Sequence, residues 1–468
     1  GDEEVCTLWE WQLIDTYNLY DPNTDYRGNV TAVTTYTDAP GASGSITHTN
    51  TYDIAGNVTS AQVDCCQLKT ITYTNTYNYA YPESVTSGNP SGVHVTTGTT
   101  YDLNTGLVNV ATDENSQDTE VFYDSETLRP TEIDLPDGGI TTYDYADALA
   151  ADSASKLHSL VTVSTKLDST PRYVDSKTYF DGRGAVAATF NSHTSGDGWV
   201  IKNIEYDNME RVSRISNPYY STSNYGTVAI NSSGIWTTNT FDNLGRITQI
   251  DLPRGDDSNP TYTTSVHTLY EGNVVTTTDE AGKVRRQVRD AMGRVIRIDE
   301  PTTSGLGTVS SPNQSTSYDY DLLNNLVKVT QGSQTRYFKY DSLSRLTYER
   351  QPEHKTTPYT QSDSLTGNSS WSRKYEYDSH GLVSHSYDPY NLQTDYYYDD
   401  LNRLTQIDYP GSTTPDAHYY YDDASNLPSG HPSYTDGAAV GRLVGMAVVR
   451  PAPTLATTCW VVSMCRNR

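Results

Sequence analysis

Large apolar side chains are scarce in this chain: its 468 residues include 5 Phe, 4 Met and 6 Trp. That excludes a thick core of the Leu/Ile/Phe kind, and no run approaches the roughly 18 consecutive apolar residues of a membrane-crossing helix. Basic charge is also short, 32 Lys and Arg against 58 Asp and Glu, for a net charge of -26. A surface this acidic repels phosphate backbones and anionic lipid, so nucleic acid is not an expected partner. Cysteine is limited to five residues, with no CxxC pair and no zinc-like spacing. Cys6 bonded to Cys65 or Cys66, a vicinal bridge within that pair, and unpaired thiols are the alternatives for the first three. No initiating Met or signal peptide opens the sequence, which reads as a segment of something longer.

Tyrosine fills the gap, with 39 copies, set among Thr, Ser, Asn, Asp and Gly. Tyr, Thr and Val suit a pleated surface that is half buried and half wet, so the fold class is all-β. The tyrosines recur in a pattern. An aromatic-Asp pair is followed three residues after the Asp by Gly or a small residue, then by Arg or Asn, then by alternating apolar residues. Phe241, Asp242, Gly245 and Arg246 make the cleanest copy, and Asp290, Gly293 and Arg294 repeat it with Arg289 in the aromatic place. Drifted copies are Tyr52, Asp53 and Gly56; Phe180, Asp181 and Gly184; Tyr206, Asp207 and Arg211; Tyr340, Asp341 and Arg345; Tyr377, Asp378 and Gly381; Tyr398, Asp399 and Arg403. Tyr320-Asp321 with Asn325 and Tyr421-Asp422 with Asn426 also align, and Tyr101-Asp102 has one extra residue before Gly106.

Asp321 and Asp341 lie 20 residues apart, and Asp378 and Asp399 lie 21 apart. Each unit therefore reads as a β-hairpin of about twenty residues. The Asp carboxylate accepts backbone N–H bonds of its own turn, and Gly takes the positive φ that reverses the chain. Gly245 and Gly293 should have positive φ, while Arg246 and Arg294 should lie near acidic groups of adjacent units. A lone hairpin is marginal in water, so the units are expected to pair into one curled antiparallel sheet: a solenoid, barrel or shell wall. Residues 1–51 read as a degenerate β segment continuing the array, and 52–440 as the array itself with inserted loops near 217–236 and 354–371. Residues 441–468 read as an atypical tail, either frameshifted, disordered or a genuine hydrophobic terminus.

The recurring [Tyr/Phe]-Asp-x-x-Gly-Arg-[Leu/Ile/Val] unit resembles the YD repeat of Rhs proteins, Tc toxin B and C components and teneurins. That resemblance implies a hollow β-shell or barrel that encloses a C-terminal polypeptide or presents an adhesive surface. No equivalent of the family's aspartate-dependent self-cleavage motif is found, and Asp388-Pro389 sits inside an ordinary repeat.

Chemistry is otherwise thin. The ten histidines fall in no HExxH or Gly-x-Ser-x-Gly context, and no phosphate-binding fingerprint appears. Paired acids at Asp113-Glu114, Asp256-Asp257 and Asp399-Asp400 point to opposite faces of a strand and cannot converge. Arg254-Gly255-Asp256 spells an adhesion tripeptide in a Pro-flanked loop. The expectation is thus a non-enzymatic extracellular or cell-surface wall of a shell, tube or fibre, without cofactor or metal. Its alternatives are an adhesive or carbohydrate-binding module and a fragment of a toxin-encapsulating shell. Expected partners are other copies, further repeats of a longer chain, an enclosed polypeptide or a surface glycan.

Overall fold

The computed structural model describes residues 29–449 except 39–40, 42, 64–65, 148–157, 167–172, 193–197, 223–234, 254–262, 424, 426 and 428–438, and also the backbone of Cys459–Val461. Cys6, Cys65, the side chain of Cys66, the Arg254-Gly255-Asp256 tripeptide and most of the 217–236 loop lie outside the described residues. The fold is all-β, a continuous antiparallel sheet in which nearly every strand pairs with its neighbours in sequence. The helical turn Asn75–Tyr77 interrupts the strands in one connection. No helix among the described residues is long and apolar enough to cross a membrane.

Two compact units divide the chain. One comprises residues 1–118 and 338–468, the other residues 119–337. In the second unit, Leu160, Tyr179, Ala188, Phe190 and Ile201 form a buried cluster with Trp199 and Tyr219 against it. In the first, a smaller cluster joins Leu427, Ala439 and Val444, with Tyr420 alongside. Both clusters are small because Tyr, Thr and Val dominate the strands and remain half-buried.

Because the strands alternate direction, the turns of each unit fall on two margins of the sheet. The aromatic-Asp turns of the repeat copies fall on one of them, hereafter the repeat margin, and the similar Tyr387-Asp388 turn falls on the other. Trp236–Phe241 runs into the Asp242 turn and returns as Ile247–Pro253, and Val284–Arg289 runs into the Asp290 turn and returns as Val295–Asp299. The opposite margin carries plain turns such as Asp279 to Lys283 and the two inserts described in full, 300–314 and 351–372.

Within the first unit, the repeat margin of the later strands meets the opposite margin of the earlier ones. Ser342 N donates to Thr37 O at 2.9 Å. The Asn115 side chain makes a two-bond amide pair with Val440, accepting from its N at 2.9 Å and donating to its O at 3.2 Å. Leu401 lies over Gly88, where an added β-carbon would come within 2.8 Å of Leu401 Cδ2. The margins in contact are therefore unlike ones.

The sheet does not stop where the repeat character fades. Leu443–Val449, in the stretch read from sequence as an atypical tail, is a strand paired with Asp416–Tyr421, and Cys459–Val461 pairs with it in turn. Val444 and Ala447 are fully buried there. Asp422 N donates to Arg442 O, the bond that Asp242 N makes to Arg246 O. Gly441-Arg442-Leu443 is thus the second half of the Asp422 turn, carried away in sequence by an insertion. The alignment of Asp422 with Asn426 is corrected accordingly.

Candidate functional site

One turn shows how the repeat closes. Asp242 Oδ1 accepts from Leu244 N and Arg246 N, both at 2.9 Å. Gly245 N donates to Asp242 O, and Gly245 has φ 80°. The register slips between Thr240 and Phe241, a bulge that follows from placing a left-handed residue after a tight turn. Gly293 has φ 82° in the matching turn, where Asp290 Oδ1 takes Met292 N and Arg294 N. Asp53, Asp181, Asp207, Asp321, Asp341, Asp378 and Asp399 hold their turns in the same way. Where glycine is replaced, Glu210, Asn324, Ser344 and Asn402 occupy the left-handed region themselves.

The arginine acts differently from the sequence expectation. Arg246 and Arg294 fold back on their own aspartates, at 2.7 Å each, and not onto acids of adjacent units. Four residues of turn bring the guanidinium fork alongside the carboxylate oxygen that the backbone leaves free. The outer face of the guanidinium then covers the aromatic residue of the next repeat. Arg211 lies 4.2 Å from the Phe241 ring, Arg246 4.2 Å from Tyr270, Arg345 4.4 Å from Tyr377 and Arg403 4.4 Å from Tyr421. Arg403 adds the expected bridge as well, pairing with Asp422 at 2.7 Å.

The tyrosine completes the join. Tyr206 OH donates to Val186 O, Tyr320 to Val295 O, Tyr377 to Leu346 O, Tyr398 to Val383 O and Tyr421 to Leu404 O. The accepting carbonyl belongs each time to the residue just after the arginine position of the preceding repeat. Asp fixes the turn, Arg is held by Asp and covers Tyr, and Tyr reaches back to the backbone beneath Arg. At the Arg345 clasp, stacking and the hydroxyl bond together stabilise the join by roughly 1–3 kcal/mol. Burial comes first in raising the Tyr377 hydroxyl above its ordinary pKa, so it stays a donor throughout the neutral range.

Drifted copies keep the logic with other atoms. Asn57 and Asn325 replace the arginine and donate Nδ2 to Asp53 and Asp321, both at 2.9 Å. Arg183 does so from inside its turn, with its guanidinium on Asp181 at 2.7 Å. One copy was missed in sequence: Tyr123-Asp124, whose loop is one residue longer, with Leu128 at φ 57° and Asp124 N bonded to Arg129 O. Its signal was the same Tyr-Asp pair followed by Arg at a spacing of five, the spacing variant already present at Asp102 and Gly106.

The opposite margin holds its inserts by buried charge. Asp299 is fully buried and takes Arg286 Nε at 2.7 Å and Arg297 Nε at 2.8 Å. Arg286 then donates to Thr308 O at 2.8 Å, and Arg297 reaches Val309 O, so insert 300–314 is pinned by two arginines sharing one carboxylate. Insert 351–372, expected as a polar loop, instead returns to the sheet through fully buried Trp371 and Ser372. Trp371 Nε1 donates to Gln361 O, and Tyr359 OH to Asp388 O, with burial first in pushing the Tyr359 hydroxyl up to about 12. His354 Nδ1 stands 2.8 Å from Ser372 Oγ. A serine and a histidine at that distance are the start of a nucleophile and base, but this hydroxyl also accepts from Gln351 N and donates to Glu349 O. Enclosed without solvent access, it braces the insert.

Concavities are shallow. One of about 470 Å³ is lined by Asp279, Lys283, Arg285, Gln287 and Pro301, and its Arg285 is engaged by Glu300 at 2.9 Å. Among the described residues, no group of three or more His, Cys, Asp or Glu could hold a metal ion. Asp113 and Asp399 from the paired acids serve as turn-holding residues. Asp256 and Asp257 lie outside the described residues.

Residues 285–428 match the teneurin YD-shell family. The chain superposes on the structure described as TcdB2-TccC3 with a TM-score of 0.63 at 14% identity, covering 86% of this chain and 22% of that one. On TcdB2-TccC3-Cdc42 the values are 0.64, 13%, 90% and 26%. This chain thus spans a quarter or less of the length of the first and about a quarter of the second, and at such identities the likeness is one of fold. No curated protein matches it. The turn and clasp that recur from Asp53 to Asp422, and the shared fold, are consistent with the YD-repeat, or Rhs-repeat, pattern matched at residues 285–428.

Proposed function

We propose that this chain is a wall segment of an extracellular or cell-surface YD-repeat shell, tube or fibre, and that its work is structural, not enzymatic. The observation that carries this reading is the clasp. The polar groups with the strongest geometry in each repeat, Asp, Arg and Tyr, are spent on the turn and on the neighbouring repeat, which leaves none of them converging on a substrate. The teneurin YD-shell match over residues 285–428 and the likeness of fold to TcdB2-TccC3 support the same reading. Electron microscopy of the native material tests it: a wall around a cavity, a tube or a polymer is the expected image. Solid monomeric globules would count against it.

A recognition role for insert 351–372 is the second reading, and its favouring observation is rigidity. Arg350 donates to Asn368 Oδ1 and Ser370 Oγ, Lys339 to Ser362 O, and Thr356 to Pro389 O, so the insert is held before any partner arrives. A preordered loop on a repeat scaffold is suited to binding a surface glycan or protein. Deleting it should abolish cell or glycan binding if the reading is right and leave such binding unchanged if it is wrong.

A further inference from the structure

We infer that the repeat margin of residues 119–337 is a docking surface for the opposite margin of a second copy of this chain, giving a head-to-tail, open-ended assembly. The inference deepens the wall reading and rests on it.

The second residue after the turn aspartate carries the argument. In four of the six repeat-margin aspartate turns of residues 119–337 that position holds Met209, Leu244, Met292 and Leu323, which are 74%, 78%, 72% and 57% exposed, while the Asp124 and Asp181 turns place Glu126 and Arg183 there. Nothing in the turn requires an apolar residue there, since its backbone N–H goes to the aspartate and its side chain points away from the sheet. Leu322, beside Leu323, is wholly exposed. A run of large apolar tips on the consecutive repeat-margin aspartate turns from Asp207 to Asp321 is the kind of surface that marks an interface.

The same position in the first unit shows what covers it. Leu343 and Leu401 are half-buried, because there the repeat margin meets an opposite margin. Leu401 lies over Gly88, and Ser342, next to Leu343, donates to Thr37 O. The turn that receives Leu401 is glycine-bearing: an added β-carbon at Gly88 would strike Leu401, and one at Gly92 would come within 2.9 Å of Asp400 Oδ2. Residues 119–337 carry turns of that kind on their own opposite margin, at Gly138, Gly282 and Gly332, and around each of the three there is open space. This region thus offers the tips on one margin and the seats on the other.

Unlike margins in contact make a heterologous interface, which does not close on itself by a two-fold axis and propagates from copy to copy. The net charge of -26 opposes approach, so association should strengthen as salt screens it.

Sedimentation of the full chain at rising concentration, in low and high salt, tests the inference. Mass should increase with both. A variant carrying Met209→Asn, Leu244→Asn, Met292→Asn and Leu323→Asn should associate roughly tenfold more weakly or not at all, with circular dichroism and unfolding midpoint unchanged. Mixed with the parent, this variant should still co-sediment while lowering the average mass, because it keeps its seats and lacks its tips. Leu269→Asn, an exposed mid-strand change, should do nothing. A parent that stays monomeric at every concentration and salt overturns the inference. So does a variant that assembles like the parent, or one that fails to join it. A monomeric chain that still shows a wall around a cavity in electron microscopy would end this inference and leave the wall reading standing.

Discussion

At the repeat margin Asp207 and Asp242 sit below the ordinary carboxylate range, whereas at the opposite margin Asp408 sits above it. Asp207 is held down first by the Arg211 side chain and then by backbone N–H groups, and Asp242 first by the N–H of Arg246 and then by its guanidinium. Asp408 is pushed up by burial first, and then by Asp416 and Asp395 across the neighbouring strands. The two margins share the same turn chemistry, as Asp279 shows by accepting Ala281 N and Lys283 N. What differs is the arginine: where one is at hand the carboxylate is compensated twice over, and where acids face each other the carboxyl group gives up its proton less readily. The margin that joins repeats is therefore built from charge pairs that keep some contact with water, and insert 300–314 depends on a carboxylate taken fully out of it.

The sharpest way to break that contrast is at Asp299. Asp299→Ala leaves Arg286 and Arg297 facing each other without their carboxylate, at a cost of about 3–5 kcal/mol, and frees insert 300–314 to proteolysis. Denaturant unfolding with limited digestion checks both, and an unaltered midpoint would remove the buried anchor from the account. At the repeat margin Gly245→Val forces a β-branched residue to φ 80° and should cost about 1–3 kcal/mol, while Asn243→Ser should be nearly silent. Arg345→Lys keeps the charge but loses the fork on Asp341 and the stack on Tyr377, for about 1–2 kcal/mol read from the same unfolding curves. A lysine that restored full stability would show that charge alone holds the clasp.

The smallest effect sharpens the comparison most, because it reverses sign between margins. Asp207 has a depressed folded pKa, so its stabilisation is complete above the ordinary carboxylate range and is lost as pH falls through that range. Asp207→Asn should lower the thermal midpoint at neutral pH and matter little in acid. Asp408 has a raised folded pKa, so its penalty is absent below the ordinary range and complete above the raised value. Asp408→Asn should raise the midpoint at neutral pH and change nothing in acid. Parallel pH profiles for the two variants would contradict the opposite tuning of the margins.

The turn was legible because it is local: a short link must satisfy its own N–H groups, and Asp with Gly does so within five residues. Gly245 and Asp242 could be assigned geometry before any tertiary contact was known. The arginine was only half legible. Sequence spacing placed Arg246 near a carboxylate, but whether that was its own Asp242 or a neighbour's depended on fork geometry and on Tyr270 waiting in the next strand pair. The Asp422 turn could not be read at all, since its Gly441 and Arg442 lie beyond an insertion.

By itself the sequence determined the β class, the repeating hairpin and the residues of its turn, because alternation, turn chemistry and Tyr-rich half-burial act over a few residues at a time. Only the tertiary structure decided which aromatic each arginine covers, that Arg286 and Arg297 share Asp299, and that Leu401 is seated on Gly88 while Leu244 is bare. Those outcomes depend on sheet register and on which margin meets which, and a repeat whose copies are locally alike carries no local mark of its neighbours.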